Sequence, residues 1–62
     1  MELHKQIKIA RINKNINQVQ LAIQMKTTRN TISNWETGTS RPNIDTLRKL
    51  STILDCEFTI KG

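Results

Sequence analysis

The sequence predicts an all-α domain of four helices, followed by a short C-terminal β-strand or, as the alternative, a fifth helix. The chain has 62 residues, enough for one domain with a small core. Apolar residues recur at helical spacing as far as residue 54, whereas the final segment alternates apolar and polar residues. We expect residues 1–55 to form the domain and residues 56–62 to form a dimerisation strand or tail.

The first helix is predicted over about residues 3–14. Its apolar stripe is Leu3, Ile7 and Ala10. Asn15 suits the end of the helix because it tolerates a left-handed conformation. Ile9 and Ile12 lie on the opposite side and form either a second buried face or a partner surface, of which we favour burial. His4 is expected to be exposed.

A second helix of two turns is predicted over about residues 18–25. Ile16 and Asn17 precede it as an apolar staple and an N-cap. Its apolar residues are Val19, Leu21, Ala22, Ile23 and Met25. We expect Met25 to lie in the core or in an interface.

A third helix is predicted to follow a three-residue break and to end at about Thr37. Thr27 or Thr28 can cap its start, and Gly38 suits its end. At about 100° per residue, Ile32 and Trp35 face inward. The outward arc then consists of Arg29, Asn30, Ser33, Asn34 and Thr37.

Residues 37–42 are predicted to form a loop, and Asn43 can cap a fourth helix that extends to about residue 54. The apolar stripe of this helix is Ile44, Leu47, Leu50, Ile53 and Leu54.

The segment from Cys56 to Lys61 has the alternation of a strand. No earlier segment predicts a strand, and a lone strand leaves its backbone groups unpaired. We therefore expect two chains to pair this segment across a two-fold axis, with Cys56, Phe58 and Ile60 in the dimer interface. A short fifth helix or a frayed tail is the alternative.

Composition argues against several classes of protein. One cysteine excludes an internal disulfide and a cysteine-based zinc site. A single histidine leaves little for acid/base chemistry, and we expect no metal and no cofactor. No apolar run approaches the roughly 20 residues of a membrane span, and the N-terminus lacks a signal-peptide core. We expect a soluble, cytoplasmic domain that is not an enzyme.

The positive charge is concentrated in the first half of the chain. Residues 1–35 contain six basic residues and only Glu2 as an acid, whereas residues 36–62 are neutral overall. Such a one-sided basic field attracts a polyanion, most often nucleic acid and next an anionic membrane. A face that serves only solubility is the alternative, because the net charge of +5 is ordinary for a small domain.

The two short helices around the break have the arrangement of a helix-turn-helix, and the outward arc can read duplex DNA. Arg29 can donate two hydrogen bonds to guanine, and Asn30 or Asn34 can pair with adenine. Ser33 and Thr28 can contact a phosphate or a thymine methyl group.

The segment from residue 18 to residue 38 resembles the DNA-binding domain of the phage-repressor (Xre/Cro) family. The shared features are a glutamine that opens the second helix, Leu-Ala in its middle, and an isoleucine before Trp-Glu-x-Gly. In this chain they are Gln18, Leu21, Ala22, Ile32, Trp35, Glu36 and Gly38. Arg41-Pro42 and Leu47-x-x-Leu50 also match, so the resemblance extends over about residues 3–55.

The resemblance implies that Asn17 and Gln18 bind a phosphate, assisted by the helix dipole. The other residues expected to contact the DNA backbone are Lys26, Thr37, Thr39, Ser40 and Arg41. The resemblance also implies a partly buried ion pair between Arg11 and Glu36, which makes Arg11 structural.

Two features depart from the family pattern. Lys26 stands where the family usually has glycine, at a cost of ~1 kcal/mol for a left-handed non-glycine residue. The family usually continues into a fifth helix, whereas the alternating segment here resembles antitoxin-type repressors that dimerise through a strand.

The sequence therefore predicts a homodimeric, sequence-specific regulator of transcription, and a repressor in particular, that associates with the nucleoid. Its two recognition helices, residues 28–37, would lie about 34 Å apart on a palindromic operator. An antitoxin that neutralises a toxin partner is the alternative. Few aromatic residues disfavour single-stranded RNA, and no helix suits a membrane surface.

Overall fold

The computed structural model describes residues 1–59, which form four helices. They are α1 Leu3–Asn13, α2 Gln18–Met25, α3 Arg29–Thr37 and α4 Ile44–Leu54. Helix α3 packs against both α1 and α2, and α4 packs against α2. The predicted four-helix fold is confirmed. None of these four helices is both long enough and apolar enough to cross a bilayer.

Side-chain caps define where the last three helices begin. The Asn17 side chain accepts a hydrogen bond of 2.7 Å from the Gln20 amide, and the Gln20 side chain accepts one of 2.8 Å from the Asn17 amide. Thr28 and Asn43 cap α3 and α4 in the same way, each by accepting from the third residue beyond it. These bonds satisfy amide groups that a helix start otherwise leaves unpaired.

Left-handed residues mark where the helices end. Asn15 and Lys26 have φ values of 60° and 57°, so the left-handed conformation expected at both positions is confirmed. Gly38 ends α3 with φ 81°, and Asp55 ends α4 with φ 52°. Asp55 was not predicted from the sequence to end a helix.

The core lies where the four helices meet. Its fully buried side chains are Ile7, Leu21, Ile32 and Leu50. Around them lie Ala10, Ala22, Met25, Trp35, Leu47 and Leu54. Ile32 and Trp35 thus anchor α3 from below, as predicted, and the opposite side of that helix is left open.

The expectation that Ile9 and Ile12 are buried is wrong. Their side chains are 42% and 52% exposed. Helix α1 packs on α3, and its buried residues are Ile7 and Ala10. The four helices of residues 1–59 place no further layer of structure over this second face of α1. Four more large apolar residues are exposed as well: Met1, Val19, Ile23 and Ile44.

The expectation that His4 is exposed is also wrong, because the residue is half-buried. Its imidazole lies over Gly38, where an added Cβ atom would come within 3.2 Å of Nδ1. Two features of the turn after α3 therefore favour glycine: its positive φ, and the imidazole of His4, which would have to shift by a few tenths of an ångström to admit a Cβ atom.

The tail after α4 is irregular as far as it is described. Residues 56–59 are in neither helix nor strand, and Ile60 and Lys61 of the predicted strand lie outside the described residues. Cys56 and Phe58 are half-buried against the core. The side-chain amide of Gln6 donates to the Thr59 carbonyl and accepts from the Thr59 amide, both at 2.8 Å. The strand therefore stays a prediction.

Candidate nucleic-acid interface

The outward face of α3 presents polar side chains that have no partner in the described part of the chain. Arg29 and Asn30 are exposed, and Ser33 and Asn34 are half-buried. Within residues 1–59 these four side chains make no hydrogen bond. A guanidinium, two amides and a hydroxyl provide donors and acceptors on one side of one helix. Such a row suits a ligand with a complementary polar edge.

A buried ion pair fixes the end of α3 to α1. The Arg11 Nε atom lies 2.6 Å from Glu36 Oε2, and the side chains are 12% and 2% exposed, respectively. A second bond of 3.1 Å joins Arg11 Nη2 to Glu36 Oε1. Two parallel bonds between charged groups are strong and directional. Arg11 is therefore committed to the scaffold and is not part of the open face.

The same network reaches the start of α2. Arg11 Nη1 donates to the Ile16 carbonyl at 2.8 Å, and Gln18 Nε2 donates to Glu36 Oε1 at 3.1 Å. Among the described residues, no buried side-chain nitrogen or oxygen lacks a partner. The network thus joins α1, the loop after it, α2 and α3.

Residues expected to contact the DNA backbone lie near both ends of α3. Lys26 is exposed in the turn that precedes the helix. At the other end, the hydroxyls of Thr37 and Thr39 lie 2.9 Å apart, and the Ser40 amide donates to the Asn34 carbonyl at 3.2 Å. These bonds hold the loop that carries the exposed Arg41 against the end of α3.

Local hydrogen bonds already engage some of the predicted contact residues. The Asn17 side-chain oxygen caps α2, and the Gln18 amide faces Glu36. The Thr28 hydroxyl caps α3 and also lies 3.0 Å from the Thr31 hydroxyl. Thr28 therefore has less freedom to reach a base than the unpaired side chains that follow it.

The charges around this face favour an anion. No Asp or Glu occurs between residues 3 and 35, and Glu36 is buried and paired. Lys26, Arg29 and Arg41 are exposed around the face. Residues 3–35, which include α2 and most of α3, therefore contribute no carboxylate that would cancel the positive field of these three side chains.

Other potentially reactive groups do not form a site in the described residues. No three His, Cys, Asp or Glu side chains of residues 1–59 are grouped in a way that could hold a metal ion. Burial raises the pKa of the Cys56 thiol, and the charge of Asp55 raises it further. The thiol is thus kept protonated, the less reactive form.

The chain is similar to known proteins in both sequence and fold. A helix-turn-helix family model matches residues 7–61. The HTH-type transcriptional activator BcrR of Enterococcus faecalis is 39% identical over 51 residues, 82% of this chain and 25% of that protein. This chain therefore spans about a quarter of the length of that relative. The P22 c2 repressor protein, solved in complex with a synthetic operator, has a TM-score of 0.84 and 28% identity, covering 92% of this chain and 86% of that one.

Proposed function

The chain belongs to the helix-turn-helix family, and we propose that it binds specific sequences of double-stranded DNA, with α3 in the major groove, to regulate transcription. The observation that carries the proposal is the open polar face of α3 above the buried Ile32 and Trp35. The similarity to a repressor solved with its operator supports the same ligand.

In this proposal the open face reads base edges. Arg29 donates to O6 and N7 of guanine, and Asn30 or Asn34 pairs with adenine, since these side chains match those edges in the major groove. Ser33 adds a shorter contact, and Thr28 contributes its methyl group or its remaining hydrogen-bonding capacity.

The flanking groups bind phosphates and set the register of α3 in the groove. Lys26 lies in the turn before α3, and the loop that follows α3 lies at the opposite end of this recognition helix. The residues proposed for these contacts are Asn17, Gln18, Lys26, Thr37, Thr39, Ser40 and Arg41.

We further propose that the protein acts as a homodimer and as a repressor, in the cytoplasm with the nucleoid. Two copies paired through residues 56–62, outside the DNA-binding domain of residues 1–55, would present two α3 helices to a palindromic operator. A dimer seated there would exclude polymerase. One relative named above is an activator and the other a repressor, so the direction of regulation belongs to the proposal.

Selection of bound duplexes from a random pool, at two salt concentrations, tests the central proposal. We expect a palindromic sequence to be enriched, and we expect the affinity to fall with salt as phosphate contacts release counterions. Recovery of the pool without any enriched sequence would contradict sequence-specific binding. Enrichment of a single half-site would contradict the proposed dimer and leave sequence-specific binding standing.

Replacing Lys26 with glycine should weaken DNA binding without weakening the fold. Glycine relieves the left-handed backbone, so the free energy of unfolding should stay within about 1 kcal/mol of the original value. The slope of log affinity against log salt should fall by about one, as for one lost phosphate contact. Lys49→Ala removes an exposed charge from α4 and should leave the slope unchanged. Equal slopes for both variants would exclude Lys26 from the phosphate contacts.

Deleting residues 57–62 should convert the dimer into a monomer, as measured by light scattering. The deleted segment contains Phe58 and Ile60, the predicted interface residues that follow Cys56. Circular dichroism should show that the four helices persist. Ile12→Ser alters an exposed apolar residue of α1 and should leave the protein dimeric. A truncated chain that still dimerises would exclude the tail as the interface.

The antitoxin alternative has one observation in its favour. Ile9 and Ile12 form an exposed apolar pair on α1, outside the open face of α3. An apolar surface of this kind can receive a protein partner such as a toxin, although isolated exposed apolar residues are also common on monomers. A toxin partner would lose affinity for an Ile9→Ser, Ile12→Ser double variant that still binds DNA.

A further inference from the structure

The carboxylate of Glu36 lies between the two elements proposed to bind DNA. Glu36 belongs to the last turn of α3, and its side chain is 2% exposed. Its Oε1 atom accepts from Gln18 Nε2 and from Arg11 Nη2, both at 3.1 Å. Gln18 is the first residue of α2. One buried carboxylate on α3, the proposed base-reading helix, therefore contacts both α1 and the start of α2, where a phosphate is proposed to bind.

The bond to Glu36 determines which way the Gln18 amide points. A carboxylate can only accept hydrogen bonds, so the NH₂ group of Gln18 must face it. The opposite orientation would place the amide oxygen against Glu36 Oε1, with two acceptors in contact. An amide is otherwise free to take either orientation, since its oxygen and nitrogen are nearly equal in shape.

The orientation leaves one N–H of Gln18 available. An amide NH₂ has two donors, and Glu36 occupies one of them. The start of α2 also has backbone amides without a hydrogen-bond acceptor in residues 1–59. Both acceptors of Asn17 are already used, since its side-chain oxygen accepts from the Gln20 amide and its carbonyl accepts from the Leu21 amide. The backbone amides of Gln18 and Val19 precede these two, where a helix makes no internal bonds. The second N–H of Gln18 thus adds to donors that favour a phosphate.

We propose that Glu36 is a positioning residue for DNA binding, which orients the Gln18 amide so that its second N–H meets a phosphate. Glu36 itself touches no DNA. Because it lies in the last turn of α3, it holds the phosphate contact at a fixed place relative to the bases that α3 reads. This inference rests on the proposed DNA-binding function and adds a role for a residue that the open face does not include.

The side-chain amide resonances of Gln18 test the proposal in the unaltered protein. In the free protein, one Nε2 proton should exchange slowly with solvent, because it is bonded to Glu36. When a random-sequence duplex is added, the other proton should shift. Gln24 is exposed on the same helix, and neither of its protons should be protected or shifted. Duplex-induced shifts on α3 without a shift of the Gln18 amide would overturn this inference and leave the proposed function standing. An absence of shifts on α3 would overturn the proposed function itself.

A double-mutant cycle tests whether Glu36 acts through Gln18. Gln18→Ala should lower affinity for a random duplex about tenfold, the value of one hydrogen bond to a charged group. Glu36→Gln should cause a similar loss in the original chain and less than a twofold loss in the Gln18→Ala background. Additive losses would overturn the proposal, and Gln24→Ala should have no effect. If Glu36→Gln does not fold, as judged by circular dichroism, the resonances of the unaltered protein decide the question.

Discussion

Replacing Glu36 with alanine is expected to lower the free energy of unfolding by about 3–5 kcal/mol, the usual cost of removing one partner of a buried ion pair. The substitution leaves the Arg11 guanidinium, 12% exposed, without its anion. A domain of this length has a total stability of only about 3–9 kcal/mol. We therefore expect urea denaturation to show a variant that has lost a large part of its stability and unfolds at a much lower urea concentration.

Two comparisons separate this effect from a general effect of charge. Glu57→Ala removes an exposed carboxylate and should change stability by less than about 0.5 kcal/mol. The double variant Arg11→Met, Glu36→Leu removes both charges and should recover much of the loss, because an apolar pair of similar volume often replaces a buried ion pair well. If Glu36→Ala were as stable as Glu57→Ala, the pair would contribute little to folding.

Replacing Arg29 with alanine should relax the base preference at one position of the bound sequence. The loss of discrimination should be about 1–3 kcal/mol, the value of one bidentate contact to a base pair. Stability should hardly change, because the side chain is exposed and makes no hydrogen bond within residues 1–59. Repeating the selection from a random pool with the variant measures the preference position by position.

The matched control for Arg29 is Arg48, an exposed basic residue on α4. Arg48→Ala removes the same charge outside the helix-turn-helix and should leave the selected sequence unaltered. An unchanged preference in the Arg29 variant would remove this residue from base reading. A loss of affinity that is equal for all sequences would assign it to a phosphate instead.

The helices were predictable because the residues that start and end them act locally. The side chains of Asn17, Thr28 and Asn43 each cap the helix that follows, by accepting a hydrogen bond from the backbone amide three residues later in the chain. The ends at Asn15 and Lys26 depend on the conformation of single residues. Such signals are complete within a few positions of the chain, so a sequence without any alignment reveals them.

The features that sequence analysis missed depend on contacts between distant segments. The Gln18–Glu36 bond joins residues 18 positions apart, and no spacing rule predicts it. The ring of His4 lies over Gly38, which belongs to a different element. The burial of Ile9 was misjudged because periodicity identifies an apolar face but does not say whether the fold supplies anything to cover it. The resemblance to known repressors, and not periodicity, pointed to the partners Arg11 and Glu36.

The bond between Gln6 and Thr59 has a consequence for how many copies can assemble. A glutamine side chain ends in the same donor and acceptor pair as a peptide unit, and here it meets the amide and the carbonyl of one tail residue. An extended segment has two edges on which another chain can add, and growth on both edges leads to fibrils. Gln6 occupies one edge of the tail at Thr59. If two copies pair through their tails, as proposed above, only the other edge is available at this residue.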